Sequence, residues 1–167
     1  MIGGLLMLAQ ISAQFLARFV KLWMLSVLSM ALLSFSAMAA ERGSANEAKA
    51  MVQKAIDAMK KHGIDATINE INKRDGQYQD RDLYVVVYDM NGKNLAHLNP
   101  KMVGKEMMDL TDVDGKFFIR ERIDLVKAKG KAWQDYKFVN PTTKQIEPKS
   151  MYIEKFENVI VGCGIYK

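Results

Sequence analysis

The stretch YVVVYDMNGKNLAHLNP, Tyr84 to Pro100, is where the fold of this chain is read most directly. Its first half is an unbroken apolar run of β-branched and aromatic residues, the signature of a buried strand. Asn91-Gly92 then marks a tight turn of the type I′ class, and NLAHL returns as the antiparallel partner. The return segment carries His97, one of two histidines in the chain, just before an Asn-Pro break. A core position, a metal site, a catalytic base and a ligand pocket are all open readings of a histidine placed there.

Upstream, SANEAKAMVQKAIDAMKKHG opens with Ser44 three residues ahead of Glu47, a capping-box pattern. Ala48, Met51, Val52, Ala55, Ile56 and Met59 recur at helical spacing, and Gly63 supplies a stop. IDATINEINKR is predicted as a second, shorter helix, and DGQYQD as a loop. Downstream, NPKMVGKEMMDLTDVDG is a long connection, of the length that is usually functional or disordered inside a small domain. KFFIRERIDLVKAKG reads as a helix ended by Gly130. KAWQDYKFVN and SMYIEKFEN are predicted strands joined by the turn-rich PTTKQIEP, and VIVGCGIYK closes as an apolar strand. The two glycines of that strand suit close approach of a neighbour. This order predicts an α+β domain with helices against an antiparallel sheet.

The N-terminal part has a different character. Arg18 and Lys21 precede a 14-residue apolar run, Leu22 to Phe35, and Ala37-Met38-Ala39 has the small-x-small form read by signal peptidase. The run is shorter than the roughly 20 residues a membrane span needs. Residues 1–39 are therefore expected to be a signal peptide cleaved before Ala40, with retention as a membrane anchor the alternative, and residues 40–167 to be the mature domain. Cleavage removes two basic residues and no acids, leaving 22 basic and 19 acidic side chains. Their interspersion, without a basic run, gives nucleic-acid binding no support. The expected location is the periplasm. A lone cysteine, Cys163, excludes an internal disulfide, a CxxCH haem site and a multi-cysteine zinc site.

The search for chemistry finds one decoy and one coherent group. Asp112, Asp114, Gly115 and Glu121 fall on positions 3, 5, 6 and 12 of a calcium loop, but Leu110 stands where the first carboxylate belongs. An Asp-Gly turn ahead of a helix is the favoured reading. There is no nucleophile elbow, and two distant histidines make no metal site. No enzymatic activity, metal or cofactor is expected. Tyr84, His97, Trp133, Tyr136, Lys149 and Tyr152 are polar-tipped groups on successive predicted strands or at their ends. Together they could form a pocket for a small anion: donors to fix it, a charge to neutralise it, rings to exclude water. Singly, each also fits an ordinary half-buried or solvated strand position.

Six motifs occur in order: His-x-Asn-Pro at 97–100, Val-Gly-Lys at 103–105, Asp-Gly-Lys-x-Phe at 114–118, Trp-x-x-Tyr at 133–136, Pro-Lys-Ser-x-Tyr at 148–152 and Gly-x-Gly-x-Tyr at 162–166. In this combination the chain resembles the single Cache domain proteins of type 2, extracytoplasmic ligand-sensing modules with a PAS-like fold. The resemblance spans about residues 44–167. It implies a long N-terminal helix packed on an antiparallel sheet of five to six strands, with a pocket between the sheet and the long connection. It further implies a short-chain carboxylate ligand such as acetate, propionate, pyruvate or lactate. His97 and Lys149 would be polar contacts, Tyr136 and Tyr152 hydroxyl donors, and Trp133 and Met107 walls or lid. Leu98 stands where the family often has proline, and Phe138 where it often has tryptophan. With nothing after Lys167 to act as an output module, the expected partner is a membrane receptor or transporter. A purely structural or protein-interaction domain, or a calcium-influenced binder, is the alternative.

Overall fold

The computed structural model describes residues 42–73 and 76–167. The expected signal segment, residues 1–39, lies outside the described residues. Helix α1 spans Ala45–His62 and α2 spans Ile64–Ile71. Six strands follow: β1 Gln79–Asp80, β2 Leu83–Asp89, β3 Asn94–Ala96, β4 Lys131–Val139, β5 Ile146–Phe156 and β6 Val159–Tyr166. Between β3 and β4 lie a single 3-10 turn, Pro100–Met102, and helix α3, Phe118–Lys129.

The sequence order does not equal the spatial order. The sheet runs β1-β2-β6-β5-β4, with β3 also paired to β2, so the last strand lies between β2 and β5. All the strand pairs are antiparallel. A strand placed centrally is covered on both faces, which is why VIVGC carries no solvent-facing polar alternation. Val159, Ile160, Val161 and Cys163 are all at most 1% exposed.

Helix α1 begins as its capping box predicts. Ser44 Oγ accepts from the Glu47 amide, and Glu47 Oε2 accepts from the Ser44 amide at 2.7 Å. Ala48, Val52, Ala55, Ile56 and Met59 form the buried stripe, while Met51 is only half-buried. The stripe packs on Leu83, Val85 and Val87 of β2 and on Val159, Val161 and Cys163 of β6. Each fully buried Val, Ile or Met there contributes about 1.5–3 kcal/mol. The other face of the sheet, with Tyr84, Val86 and Tyr88, is covered by α3 and the long connection.

Two local readings are corrected by the structure. The hairpin turn is not type I′, since Asn91 keeps a negative φ and Gly92 alone is left-handed at +88°. Asp89 explains this: its Oδ1 accepts from the amides of both Asn91 and Lys93 at 2.9 Å, closing an Asx-type turn. Strand β5 also starts four residues earlier than expected, at Ile146. Pro148 sits inside it, tolerated because its carbonyl still accepts from the Lys167 amide at 2.9 Å while the Lys167 carbonyl accepts from Arg42 Nη1 at 2.6 Å in place of the missing proline N–H.

Candidate functional site

The face of the sheet turned away from α1 holds an enclosure of polar and aromatic groups. Its floor comes from alternate residues of four strands: Tyr84, Tyr136, Lys149 and Tyr166. Its roof is built by the long connection. Asn99 makes the His-x-Asn-Pro motif intelligible. Its amide donates to His97 Nδ1 at 2.8 Å, and its side-chain oxygen accepts from Lys101 to start the 3-10 turn at Pro100. From the other side, Asn72 at the end of α2 accepts from the His97 amide at 3.2 Å. Val-Gly-Lys works through its backbone. Gly104, at φ +80°, donates to the Asn94 carbonyl at 2.7 Å, and the Lys105 carbonyl accepts from the Asn94 amide. Met107 follows, donating its amide to Gly92 and burying its side chain under the roof.

Two cations are buried in this enclosure. Lys149 is 1% exposed, and its ammonium lies 4.0 Å from the centroid of the Tyr84 ring and 4.5 Å from that of Tyr166. Among the described residues its hydrogen-bond partner is the Tyr166 hydroxyl, at 3.1 Å. That hydroxyl in turn donates to the Val139 carbonyl at 2.7 Å. Burial, with a smaller contribution from the Arg122 charge, pulls the Lys149 ammonium down to about 7, while Cys163 and Asp82 oppose the shift.

Arg122 is also 1% exposed. Its Nε donates to Gln134 at 3.1 Å, but Nη1 and Nη2 have no hydrogen-bond partner. The rings of Tyr88, Tyr136 and Phe118 surround it at 5.0 to 5.5 Å, and the hydroxyls of Tyr136 and Tyr88 lie near enough to favour its charged form without forming well-aligned hydrogen bonds to its terminal nitrogens. Among the described residues no carboxylate makes an ion pair with either cation.

His97 lies between the rings of Tyr84 and Phe138, at 5.3 and 6.2 Å. Burial first, then the Lys149 and Arg122 charges, lowers its pKa to about 3. It is neutral at any physiological pH, and since Nδ1 is an acceptor, the proton resides on Nε2. A cleft of about 500 Å³ opens beside it, lined by Tyr84, His97, Asn99, Met102, Phe138 and their neighbours. Tyr136, stacked on Phe118 at 4.7 Å, donates its hydroxyl to the soft sulfur of Met151 and lies beside the Arg122 guanidinium.

Of the residues singled out from sequence, the structure brings together Tyr84, His97, Met107, Tyr136 and Lys149. It does not bring Trp133 and Tyr152 to them. These two pair with each other across β4 and β5 on the α1 face, their rings 5.5 Å apart, with the Lys49 ammonium 5.8 Å from both. The reason is the strand period. Trp133 and Tyr136 are three residues apart, as are Lys149 and Tyr152, and an odd separation puts side chains on opposite faces.

The residues that sequence reading passed over are Tyr166, noted there only as the end of Gly-x-Gly-x-Tyr, and Arg122. For Arg122 a signal was present: Phe118, Ile119, Arg122, Ile123 and Val126 form one helical stripe, so an arginine occupies a core-facing position.

The calcium-loop residues are otherwise engaged. Asp112 Oδ1 accepts from the amides of Asp114 and Lys116, and Oδ2 from that of Lys137. Glu121 is held by Lys116 and Gln134. Binding a cation would break these bonds, so added calcium is expected to leave the melting temperature unchanged. A shift at sub-millimolar calcium would contradict this.

Known proteins share this architecture. The chain is similar to a methyl-accepting chemotaxis protein from Vibrio parahaemolyticus, with 26% identity, a TM-score of 0.61, and 72% of this chain and 86% of that one covered. A Cache chemosensory domain solved for its carboxylic acid recognition aligns at 23% identity with a TM-score of 0.60, over 72% of this chain and 91% of that one. At that identity the likeness speaks for the fold. In sequence the chain is 37% identical over 89 residues to the sensor histidine kinase MctS of Rhizobium johnstonii. That match covers 52% of this chain and 19% of the kinase, so the chain spans a small part of that relative. The family model described as single Cache domain 2 matches residues 25–167, which takes in every described helix and strand, and the chain therefore belongs to that family.

Proposed function

We propose that this Cache sensor domain binds a small carboxylate on the inner face of its sheet, between Arg122 and Lys149. The observation that carries this reading is the pair of buried cations with no carboxylate at ion-pair distance among the described residues, Asp82 acting on Lys149 only from farther away. An isolated charge in a low-dielectric interior costs several kcal/mol, a cost that an arriving anion offsets. Arg122 offers two free terminal nitrogens, the geometry that holds a carboxylate in two parallel hydrogen bonds. Lys149 supplies a second charge, His97 a neutral Nε2 donor, and Tyr84 and Tyr136 hydroxyls and aromatic walls, with Met107 in the roof. The cleft beside His97 is the route of entry.

Cache domains are extracytoplasmic sensors, and they are sensory rather than catalytic. The carboxylic acid recognition of one structural relative and the sensor kinase relative both favour the same reading here. In this reading the domain is exported to the periplasm and reports carboxylate occupancy to a membrane receptor or transporter.

A thermal-shift series with acetate, propionate, pyruvate and lactate tests it. A ligand present at a hundredfold excess over its Kd stabilises by about 2.7 kcal/mol, a rise of roughly 8 °C for a domain of this size. Sodium chloride at the same ionic strength is the control. If no carboxylate raises the melting temperature beyond that of chloride, the reading falls.

A further inference from the structure

We propose that Gly164 is the positioning residue of the site: the bare backbone there is what lets Lys149 cross β6 and deliver its ammonium to the enclosure. This rests on the carboxylate reading above only for its consequence in binding. The positioning itself stands on geometry.

Gly164 is paired with Met151 in the β5–β6 ladder, and Lys149, two residues along, is paired with Tyr166. The Lys149 stem does not rise straight from β5. It lies diagonally over β6, and a Cβ placed on Gly164 would sit 2.3 Å from Lys149 Cε and 3.2 Å from Cγ. Ordinary carbon contacts are about 3.5–4.0 Å, so the head of the lysine would have to move by more than an ångström.

Gly164 has no left-handed φ, unlike Gly63, Gly92, Gly104, Gly115 and Gly130. Its backbone is one any residue could adopt, so the glycine serves space rather than conformation. Along that path the ammonium reaches the Tyr84 ring on β2, well inside the roughly 6 Å range of cation–π attraction. A lysine lifted off β6 would lose this ring and the Tyr166 hydroxyl together. The second glycine of the motif, Gly162, has a different neighbour, with Met151 Sδ 3.0 Å from its would-be Cβ. The Gly-x-Gly-x-Tyr motif is thus a track and a stop: two positions without side chains, and a tyrosine that receives the ammonium.

The test has a ligand-free arm and a binding arm. In protein carrying 13C-labelled lysine, the Lys149 side chain is followed by NMR against pH. The titratable groups around it are Asp82 and Tyr84 from the β2 side, Tyr166 from β6 with Cys163 on the opposite face of that strand, Arg122 from α3, and His97 after β3. In the wild type Lys149 titrates well below the other lysines. In Gly164→Ala its titration moves towards theirs, and affinity for the carboxylate found in the thermal-shift series falls by more than about tenfold. In a Lys149→Met background, Gly164→Ala costs no further affinity, because the residue acts through the lysine.

An unmoved Lys149 titration in a folded Gly164→Ala protein would overturn the proposal, as would equal losses in both backgrounds. If no carboxylate binds the wild type, the carboxylate reading fails and the titration still decides the positioning. If Gly164→Ala does not fold, the wild type answers: the Lys149 methylenes must show nuclear Overhauser contacts to the Gly164 α protons, and their absence refutes the arrangement.

Discussion

Replacing Arg122 with methionine is expected to abolish carboxylate binding while leaving the melting temperature unchanged or raised. The two effects have one cause. In the free domain the guanidinium is buried with Nη1 and Nη2 unpartnered, so its charge is a desolvation cost without an ion pair to offset it. Methionine keeps an apolar stem of similar length beside Tyr88, Phe118 and Tyr136, and removes the charge. The loss on the other side is the Nε hydrogen bond to Gln134, and orphaning that acceptor costs about 1–3 kcal/mol. Relief of the buried charge is of the same size or larger, and buried ion sites replaced by apolar residues gain about 1–4 kcal/mol in favourable cases. The binding loss has no such compensation. Two charge-assisted hydrogen bonds at about 1.5–3 kcal/mol each correspond to at least a hundredfold in Kd. Calorimetric titration and a thermal melt on the same preparation read both. A variant that binds normally removes Arg122 from the site, and a variant that melts far lower makes the arginine a structural element instead.

Lys149→Met is expected to weaken carboxylate binding by more than about tenfold, the usual worth of a hydrogen bond to a charged group, with little loss of stability. It is also expected to erase a pH dependence. The sign follows from the direction of the shift. Burial brings Lys149 down to about 7 in the folded domain, whereas an unfolded lysine keeps its proton up to about 10.4. Between these values the unfolded chain binds the extra proton, so the stability of the free domain rises with pH across that window. His97, lowered to about 3, contributes with the same sign between about 3 and 6.5. Carboxylate affinity runs the other way. Above pH 7 the ligand must recruit a proton to Lys149, and affinity is expected to fall by up to about tenfold per pH unit. Titrations at pH 6, 7, 8 and 9 in buffers of differing ionisation enthalpy would show this as proton uptake on binding. Wild-type affinity that is flat over that range, or Lys149→Met protein that keeps the slope, would count against the lysine.

The contrast between Lys149 and Tyr152 shows how far the sequence could be read. Both belong to Pro-Lys-Ser-x-Tyr, and chemical character alone groups both into one pocket. Only the lysine is there. Strand alternation was available in the sequence and separates them, since their spacing of three puts them on opposite faces. Arg122 was legible by the same kind of rule, as a charge on a core-facing helical stripe. It was missed because an arginine in a helix usually reaches water along its own stem.

By itself the sequence determined the α+β class, the capped first helix, the order of helix, hairpin, covered loop and three closing strands, and the identity of the polar groups near the roof. These depend on neighbours within a turn or a hairpin, and such interactions are written in local spacing. Tertiary structure alone decided that β6 enters the sheet between β2 and β5, that Lys149 lies across Gly164 to the Tyr84 ring, and that Arg122 of α3 is buried on the same face against Tyr88 and Tyr136. Pairing between residues 70 or more positions apart sets which faces meet, and desolvation follows from what covers them. A lysine becomes a buried cation through its surroundings, and those come from every other part of the chain.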